Sequence, residues 1–145
     1  IDIVRSAPTA DCLMCGNKSE IHQALMNVVI NAIQAMPEGG RLTIEQSVKI
    51  LNGKTFLNIA VQDTGCGIDQ DMHGKIFEPF HTTKDRGTGL GLAIVNRVVE
   101  SHGGKVAVTS RTGEGTKIEL CFPMSNDIKA SISLQQEPGF VSSAE

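Results

Sequence analysis

The sequence predicts an α+β fold: a two-layer α/β sandwich with helices on one face of a mixed, mostly antiparallel sheet of about five strands. Three observations lead there. Segments 17–36 and 90–102 carry apolar residues at helical spacing and end in glycines. Four others read as strands in two hairpins, one closed at Asn52–Gly53 and one around Gly113–Gly115. A further segment, IDIVRS at the N-terminus, alternates as a first strand.

Composition sets the bounds. A chain of 145 residues, 40% hydrophobic and 20% charged, has the size and balance of one globular domain. With five Phe and no Trp or Tyr, the core must be filled by Ile, Val and Leu. The 13 Lys and Arg are scattered and the net charge is −3, so no nucleic-acid partner is expected. No apolar run approaches the roughly 20 residues of a membrane span, and no stretch reads as a signal peptide. A domain without membrane contact, in the cytoplasm, is therefore expected. The start at Ile1, not Met, is the one expected of a piece of a longer polypeptide. Cys12 and Cys15 form CLMC, but Cys66 and Cys121 stand alone and give no second pair for zinc. All four are expected to be packing thiols of a reducing compartment.

In chain order, IDIVRS and then DCLMC read as strands. Asn17 is a good helix N-cap, with Glu20 three residues on as in a capping box. The helix carries Ile21, Leu25, Val28, Val29, Ala32, Ile33 and Met36 on one broad side, and Pro37 with Gly39–Gly40 stops it. RLTIEQSVKIL and TFLNIAVQD follow as an antiparallel pair across Asn52–Gly53. QDMHGKI suggests a short helix, and FEPFHTTKDRGTG a polar loop. Leu90 to His102 forms the second helix, with His102 at a C-terminus where a cation suits the dipole. KVAVTSR and TKIELCF make the last hairpin. Beyond Pro123 the composition turns to Ser, Gln and Pro, so the domain is expected over 1–123 and a tail or linker over 124–145.

Three places carry chemistry. On the first helix Glu20, Asn27 and Asn31 fall together opposite the apolar set, and the two carboxamides, one turn apart, can aim oxygens at one cation or simply form a solvated polar face. In DTGCGI, Asp63 stands at a strand end before Gly65 and Gly67. Its carboxylate can accept a bond from an amine such as that of adenine while a flat ring lies on the glycines. An Asx-turn explains the same spacing equally well. In RGTGLGLAIV, glycines at 87, 89 and 91 lead into a helix N-terminus, which favours an anion. Lys84 and Arg86 stand beside it. The GKT at 53–55 is a decoy, because a phosphate loop of the Walker type needs Gly where Val48 stands.

Together these pieces resemble the ATP-binding catalytic domain of sensor histidine kinases, in the superfamily shared with gyrase, heat-shock chaperone and mismatch-repair ATPases. NVVINA resembles the N box, DTGCGI the G1 box, IFEPFHTTK the F box, GTGLGLAIV the G2 box and GEGTKIEL the terminal glycine motif, all in family order. EPFHTTK followed closely by GTGLGL is most similar to the nitrogen-regulator type. The resemblance implies ATP and Mg²⁺ as ligands. Asn31 would ligate Mg²⁺, and Asn27 would contact phosphate or metal from the same helix. Asp63 would bind the adenine amine with Gly65, Gly67 and Ile68 around the ring, and Thr116 would support the adenine end. Residues 79–90 would form an ATP lid latched by Phe77 and Phe80. Thr82, Thr83 and Lys84 would line it, with Lys84 near the γ-phosphate. Gly87, Thr88, Gly89, Leu90, Gly91 and Leu92 would wrap the phosphates. Phe77 and Phe80 also have a plain structural role open to them, packing the base of the lid.

The same resemblance addresses the fate of the phosphate. The superfamily's hydrolases carry Glu one turn before the metal Asn, whereas this chain has Asn27, which cannot take a proton at neutral pH. Phosphoryl transfer to a histidine is thus expected, with Asn27 and Lys84 as the catalytic candidates and an ATPase or switch module as the alternative. The family's acceptor lies in an H-E or H-D motif. Here His22, His73, His81 and His102 are followed by Gln23, Gly74, Thr82 and Gly103. The implied partners are an upstream dimerisation domain bearing the acceptor, in a homodimer, and a response regulator.

Overall fold

A computed structural model describes residues 1–7, 14–79 and 91–124. Its sheet is built outward from two hairpins. Strands β2 (Arg41–Leu51) and β3 (Lys54–Asp63) pair antiparallel from Leu42↔Asp63 to Leu51↔Lys54. Their turn has φ 51° at Asn52 and φ 75° at Gly53, the double positive φ of a type I′ turn that Asn-Gly tolerates best. Strands β4 (Lys105–Arg111) and β5 (Gly115–Pro123) form the second hairpin. β5 lies between β3 and β4, and β1 (Asp2–Ser6) adds in parallel beside β2, giving the order β1-β2-β3-β5-β4. One parallel pair among antiparallel ones makes the sheet mixed, as expected.

Helix α1 (Lys18–Gln34) and helix α2 (Gly91–Ser101) lie together on one face of this sheet. Ala24, Val28 and Ala32 from α1 and Val95, Val98 and Val99 from α2 meet Leu42, Val61, Ile118, Leu120 and Phe122 from the strands. Among the described residues the largest fully buried side chains are Phe122 and then only Leu and Val, so aliphatic groups do fill the core. Against the sequence reading, Ile33 is not part of it. With Met26 and Ile30 it forms a solvent-facing stripe, each 43% exposed.

Local signals set the helix ends. Asn17 has extended backbone (φ −81°, ψ 109°) and its side chain accepts the Glu20 N–H at 3.2 Å. The reciprocal half of a capping box does not form, because the Asn17 N–H donates to His102 Nε2 at 3.0 Å instead. Of the suggested short helix at 70–76, only a 3₁₀ turn at Gln70–Met72 is regular. Met14 and Cys15 lie outside any strand, and the rest of the DCLMC segment lies outside the described residues.

The described chain runs one residue past the expected boundary. Met124 is buried and its N–H bonds to the Thr55 carbonyl at 3.0 Å. The rest of the expected tail, 125–145, lies outside the described residues. Among the described cysteines only Cys121 packs as expected. Cys15 and Cys66 are exposed, and all three are free thiols. Cys121 sits on the sheet face away from the helices, where its thiol donates to Asn58 Oδ1 at 3.0 Å. Asn58 Nδ2 and Lys49 Nζ both reach Glu119 Oε1, at 3.2 and 2.7 Å. The Lys49 ammonium holds the Glu119 carboxyl below its usual range.

Leu120 is completely buried between the helices and the sheet. Leu120→Ala should lower the unfolding free energy by about 2–5 kcal/mol. In urea titrations the midpoint should fall while the slope stays unchanged.

Candidate functional site

The C-terminal end of β3 organises one half of the site. Asp63 is buried, and its Oδ1 accepts the Gly65 N–H at 2.8 Å and the Thr116 N–H at 3.2 Å. The first bond is the Asx-turn that the spacing allowed. The second comes from β5, paired directly with β3 at this point (Asp63↔Thr116). Both bonds use one oxygen, and Oδ2 has no hydrogen-bond partner among the described residues. Burial pushes the Asp63 carboxyl above its ordinary range, and the two N–H groups partly pull it back.

The loop after Asp63 is braced from both sides. Cys66 N–H donates to the Ala35 carbonyl at the C-cap of α1, and Cys66 C=O accepts the Gly113 N–H from the β4–β5 turn. These contacts explain the two glycines in terms of the protein itself. A Cβ on Gly65 would lie 2.4 Å from the Ala35 carbonyl oxygen. On Gly67, at φ +74°, it would lie 2.0 Å from that of Arg111. No side chain fits at either place.

Ser110 is the residue that sequence reasoning missed. Buried in β4, its hydroxyl donates to the Gly115 carbonyl at 2.9 Å and accepts the Ile68 N–H at 2.8 Å. With its one proton spent on Gly115, it must accept from Thr116 Oγ1, 2.8 Å away. Thr116 is thus held through both its N–H and its hydroxyl. The available signal was register: once the hairpin around Gly113 is placed, Ser110 falls opposite Thr116.

The helices supply the other half. Asn27 and Asn31 are half-buried, not opposite the apolar side but on the flank of α1 that meets α2. The face opposite the core is the Met26–Ile30–Ile33 stripe. Asn27 Nδ2 donates to the Gly91 carbonyl at 3.3 Å, which leaves its Oδ1 as an acceptor. A Cβ on Gly91 would come 3.8 Å from Asn31 Nδ2. Both carboxamides therefore sit at the N-terminus of α2, where backbone N–H groups lack helical partners. Leu92 is half-buried and packs against the core beside them. Phe77 and Pro79 line an open groove of about 290 Å³ with Ala93, Ile94, Asn96, Arg97 and Glu100 of α2. Phe80, Thr82, Thr83, Lys84, Gly87, Thr88, Gly89 and Leu90 lie outside the described residues.

The profile of the family described as "Histidine kinase-, DNA gyrase B-, and HSP90-like ATPase" matches residues 16–126. The chain belongs to that family. It is 41% identical over 108 residues to sporulation kinase D of Bacillus subtilis (strain 168), covering 74% of this chain and 21% of that protein. It is 40% identical over 105 residues to the signal transduction histidine-protein kinase AtoS of Escherichia coli (strain K12), covering 72% of this chain and 17% of that protein. The chain thus spans about a fifth of the length of these relatives. Among solved structures, the catalytic domain of histidine kinase ThkA superposes with TM-score 0.72 at 32% identity. The superposition covers 84% of this chain and 78% of that one. The mycobacterial sensor histidine kinase MprB gives TM-score 0.71 at 30% identity over 85% and 83%. The domain is homologous to the catalytic domains of sensor histidine kinases and shares their fold. No described helix is long and apolar enough to cross a membrane.

Within this domain Asp63 carries a stability cost. Its folded-state pKa lies above the unfolded value, so the charged form weakens the fold. That cost is fully present at neutral pH and vanishes below the unfolded carboxylate range. Asp63→Asn keeps an acceptor for Gly65 and Thr116 and removes the charge. Without nucleotide, the variant should melt above the wild type at neutral pH. The gap should close as the pH falls toward about 4; a gap independent of pH contradicts the assignment.

Proposed function

We propose that this domain binds Mg²⁺-ATP between the Asp63 loop and the N-terminus of α2, and passes the γ-phosphoryl group to a histidine on a separate dimerisation domain. The observation that carries the reading is the pair of neutral carboxamides, Asn27 and Asn31, set against Gly91 at the start of α2. A site built for hydrolysis needs a base for water one turn before the metal Asn. Asn27 cannot serve as one, and its amide is already committed to the Gly91 carbonyl. A structural neighbour supports the nucleotide. Full-length ShkA, at TM-score 0.72 and 29% identity over 86% of this chain and 26% of that one, was solved in complex with AMPPNP.

Each half has a separable role. Asp63 Oδ2, buried and without a protein partner among the described residues, suits the exocyclic amine of adenine. Ile68 is the ring neighbour, and Thr116 orients a water or the ring itself from the β5 side. Gly91 and Leu92 open the helix whose N–H groups face the phosphates. The donor chemistry fits Mg²⁺, a hard cation that keeps several waters and takes few protein oxygens beside substrate phosphates. Asn31, with Asn27 beside it, would hold it. Among the described residues no three His, Cys, Asp or Glu side chains gather to bind a metal without the nucleotide. When bound, the ion neutralises charge on the phosphate oxygens. The residues of this chain then position the γ-phosphoryl in line.

The lid over 79–90, with Lys84 at the γ-phosphate, belongs to this proposal through the resemblance, as does the nitrogen-regulator subtype. So do the homodimer, the response regulator and a cytoplasmic location. The runner-up reading is an ATPase or switch module. Incubation with γ-labelled ATP, Mg²⁺ and the dimerisation domain separates them. Acid-labile label on that domain supports transfer, whereas free phosphate alone supports hydrolysis. Asn31→Ala should abolish Mg²⁺-dependent binding of a fluorescent ATP analogue while leaving the melting temperature within a few degrees. Unchanged affinity removes Asn31 from the metal.

A further inference from the structure

The two helices that carry the site are tied at both ends. At the phosphate end, Asn27 bonds to Gly91. At the far end stands His102, one residue past α2. Its Nδ1 is 2.7 Å from the Val98 carbonyl, which can only accept, and 3.2 Å from Ser101 Oγ, whose own proton goes to that carbonyl at 2.8 Å, so Nδ1 carries the proton. Its Nε2 is 3.0 Å from the Asn17 backbone nitrogen, which can only donate, so Nε2 is bare. The ring is fixed by packing as well. A Cβ on Gly16 would fall 2.5 Å from its Cδ2, and Phe122 meets its edge with centroids 6.3 Å apart at 85°. The bonds to the Val98 carbonyl and from the Asn17 N–H together require a neutral ring, not the cation that a helix C-terminus favours.

We propose that His102, as the neutral Nδ1–H tautomer, is a positioning residue that locks the start of α1 onto the end of α2 and so holds Asn27 and Asn31 against Gly91. Ten residues, about 15 Å of rigid helix, separate Asn17 from Asn27. A shift at one end of the pair is therefore carried to the other. A second proton on the ring sets an N–H against the Asn17 N–H and breaks the tie. The groups against the ring, Gly16, Phe122 and the Ser101 hydroxyl, do not titrate. The charged or titratable groups nearest along the chain are Cys15, Lys18, Glu20, Glu100 and Lys105, all exposed; the packed elements also carry His22 on α1, Arg97 on α2, Arg111 on β4, and Lys117, Glu119 and Cys121 on β5. The effect on nucleotide rests on the site proposed above, but the tautomer and the helix tie do not.

Two measurements test this. In the chain labelled with ¹⁵N-histidine, long-range ¹H–¹⁵N correlation at about pH 7.5 should show His102 protonated at Nδ1 only; an Nε2–H or doubly protonated ring overturns the proposal. Affinity for a fluorescent ATP analogue is then followed from about pH 7.5 to about pH 5.5, where histidines as a class change charge, in wild type and His102→Gln. Gln offers an oxygen to the Asn17 N–H and does not titrate. It should bind within about twofold of wild type at the upper pH, and wild type should lose about fivefold more on acidification, one hydrogen bond's worth. Every other group, the nucleotide included, is common to both proteins, so the difference between the two profiles reports position 102. Parallel profiles overturn the positioning role. A wild type with the expected tautomer, but with binding insensitive to Asn31→Ala, faults the site assignment instead.

Discussion

Burying one carboxylate at the end of a strand is the constraint on which the candidate site depends. Asp63 can lie below the surface only where main-chain donors reach it, and they come from two directions. Gly65 supplies one by folding the chain back at once, and Thr116 supplies the other through the β3–β5 ladder. The turn forces the loop against Ala35 and Arg111, where only glycine fits. The ladder fixes Thr116, and Ser110 behind it closes the gap to Ile68. Remove the carboxylate's need for two donors, and the glycines, the serine and the hairpin register lose their common reason.

The loop is also where sheet and helix layers are joined. Cys66 bonds through its N–H to the end of α1 and through its carbonyl to the β4–β5 turn. α1 in turn leans on α2 through Asn27 at its middle and through Asn17 at its N-terminus. The proposed purine and phosphate halves are thus connected through one helix, whose C-cap braces the Asp63 loop and whose flank presents the two asparagines. A rigid α1 keeps the two halves at a fixed spacing. That suits a ligand as long as a nucleoside triphosphate.

Much of this was legible in the sequence because local rules dictated it. Asn52–Gly53 signalled a tight hairpin, and Asn17 followed by Glu20 marked the helix start. The Asp63–Gly65 spacing contained its own Asx-turn. What was not legible depended on tertiary partners. Nothing local says that the Asn17 N–H passes over Glu20 for a histidine 85 residues away. A helical wheel places Asn27 and Asn31 opposite the core because it knows one interface, and α1 has two. With α2 beside it, the asparagines become a flank and the opposite side is left to Met26, Ile30 and Ile33. Cysteine exposure was misjudged at Cys66 for a related reason: its main chain is what the loop uses, and its thiol is left over.

Asp63 and His102 mark opposite outcomes of the same physics. Both are titratable groups drawn into the fold, and each meets main-chain groups that select one protonation state. At His102 both main-chain partners, the Val98 carbonyl and the Asn17 N–H, favour the proposed neutral ring, so packing and hydrogen bonding agree and the residue serves the fold. At Asp63 they disagree: burial opposes the charge, two N–H groups favour it, and one oxygen is left without a protein partner among the described residues. An amide would satisfy the same donors without the conflict. Local rules broken without a structural gain are expected where function has its own demand. The unspent oxygen of Asp63 is such a place, which supports its assignment to the purine end of the proposed site.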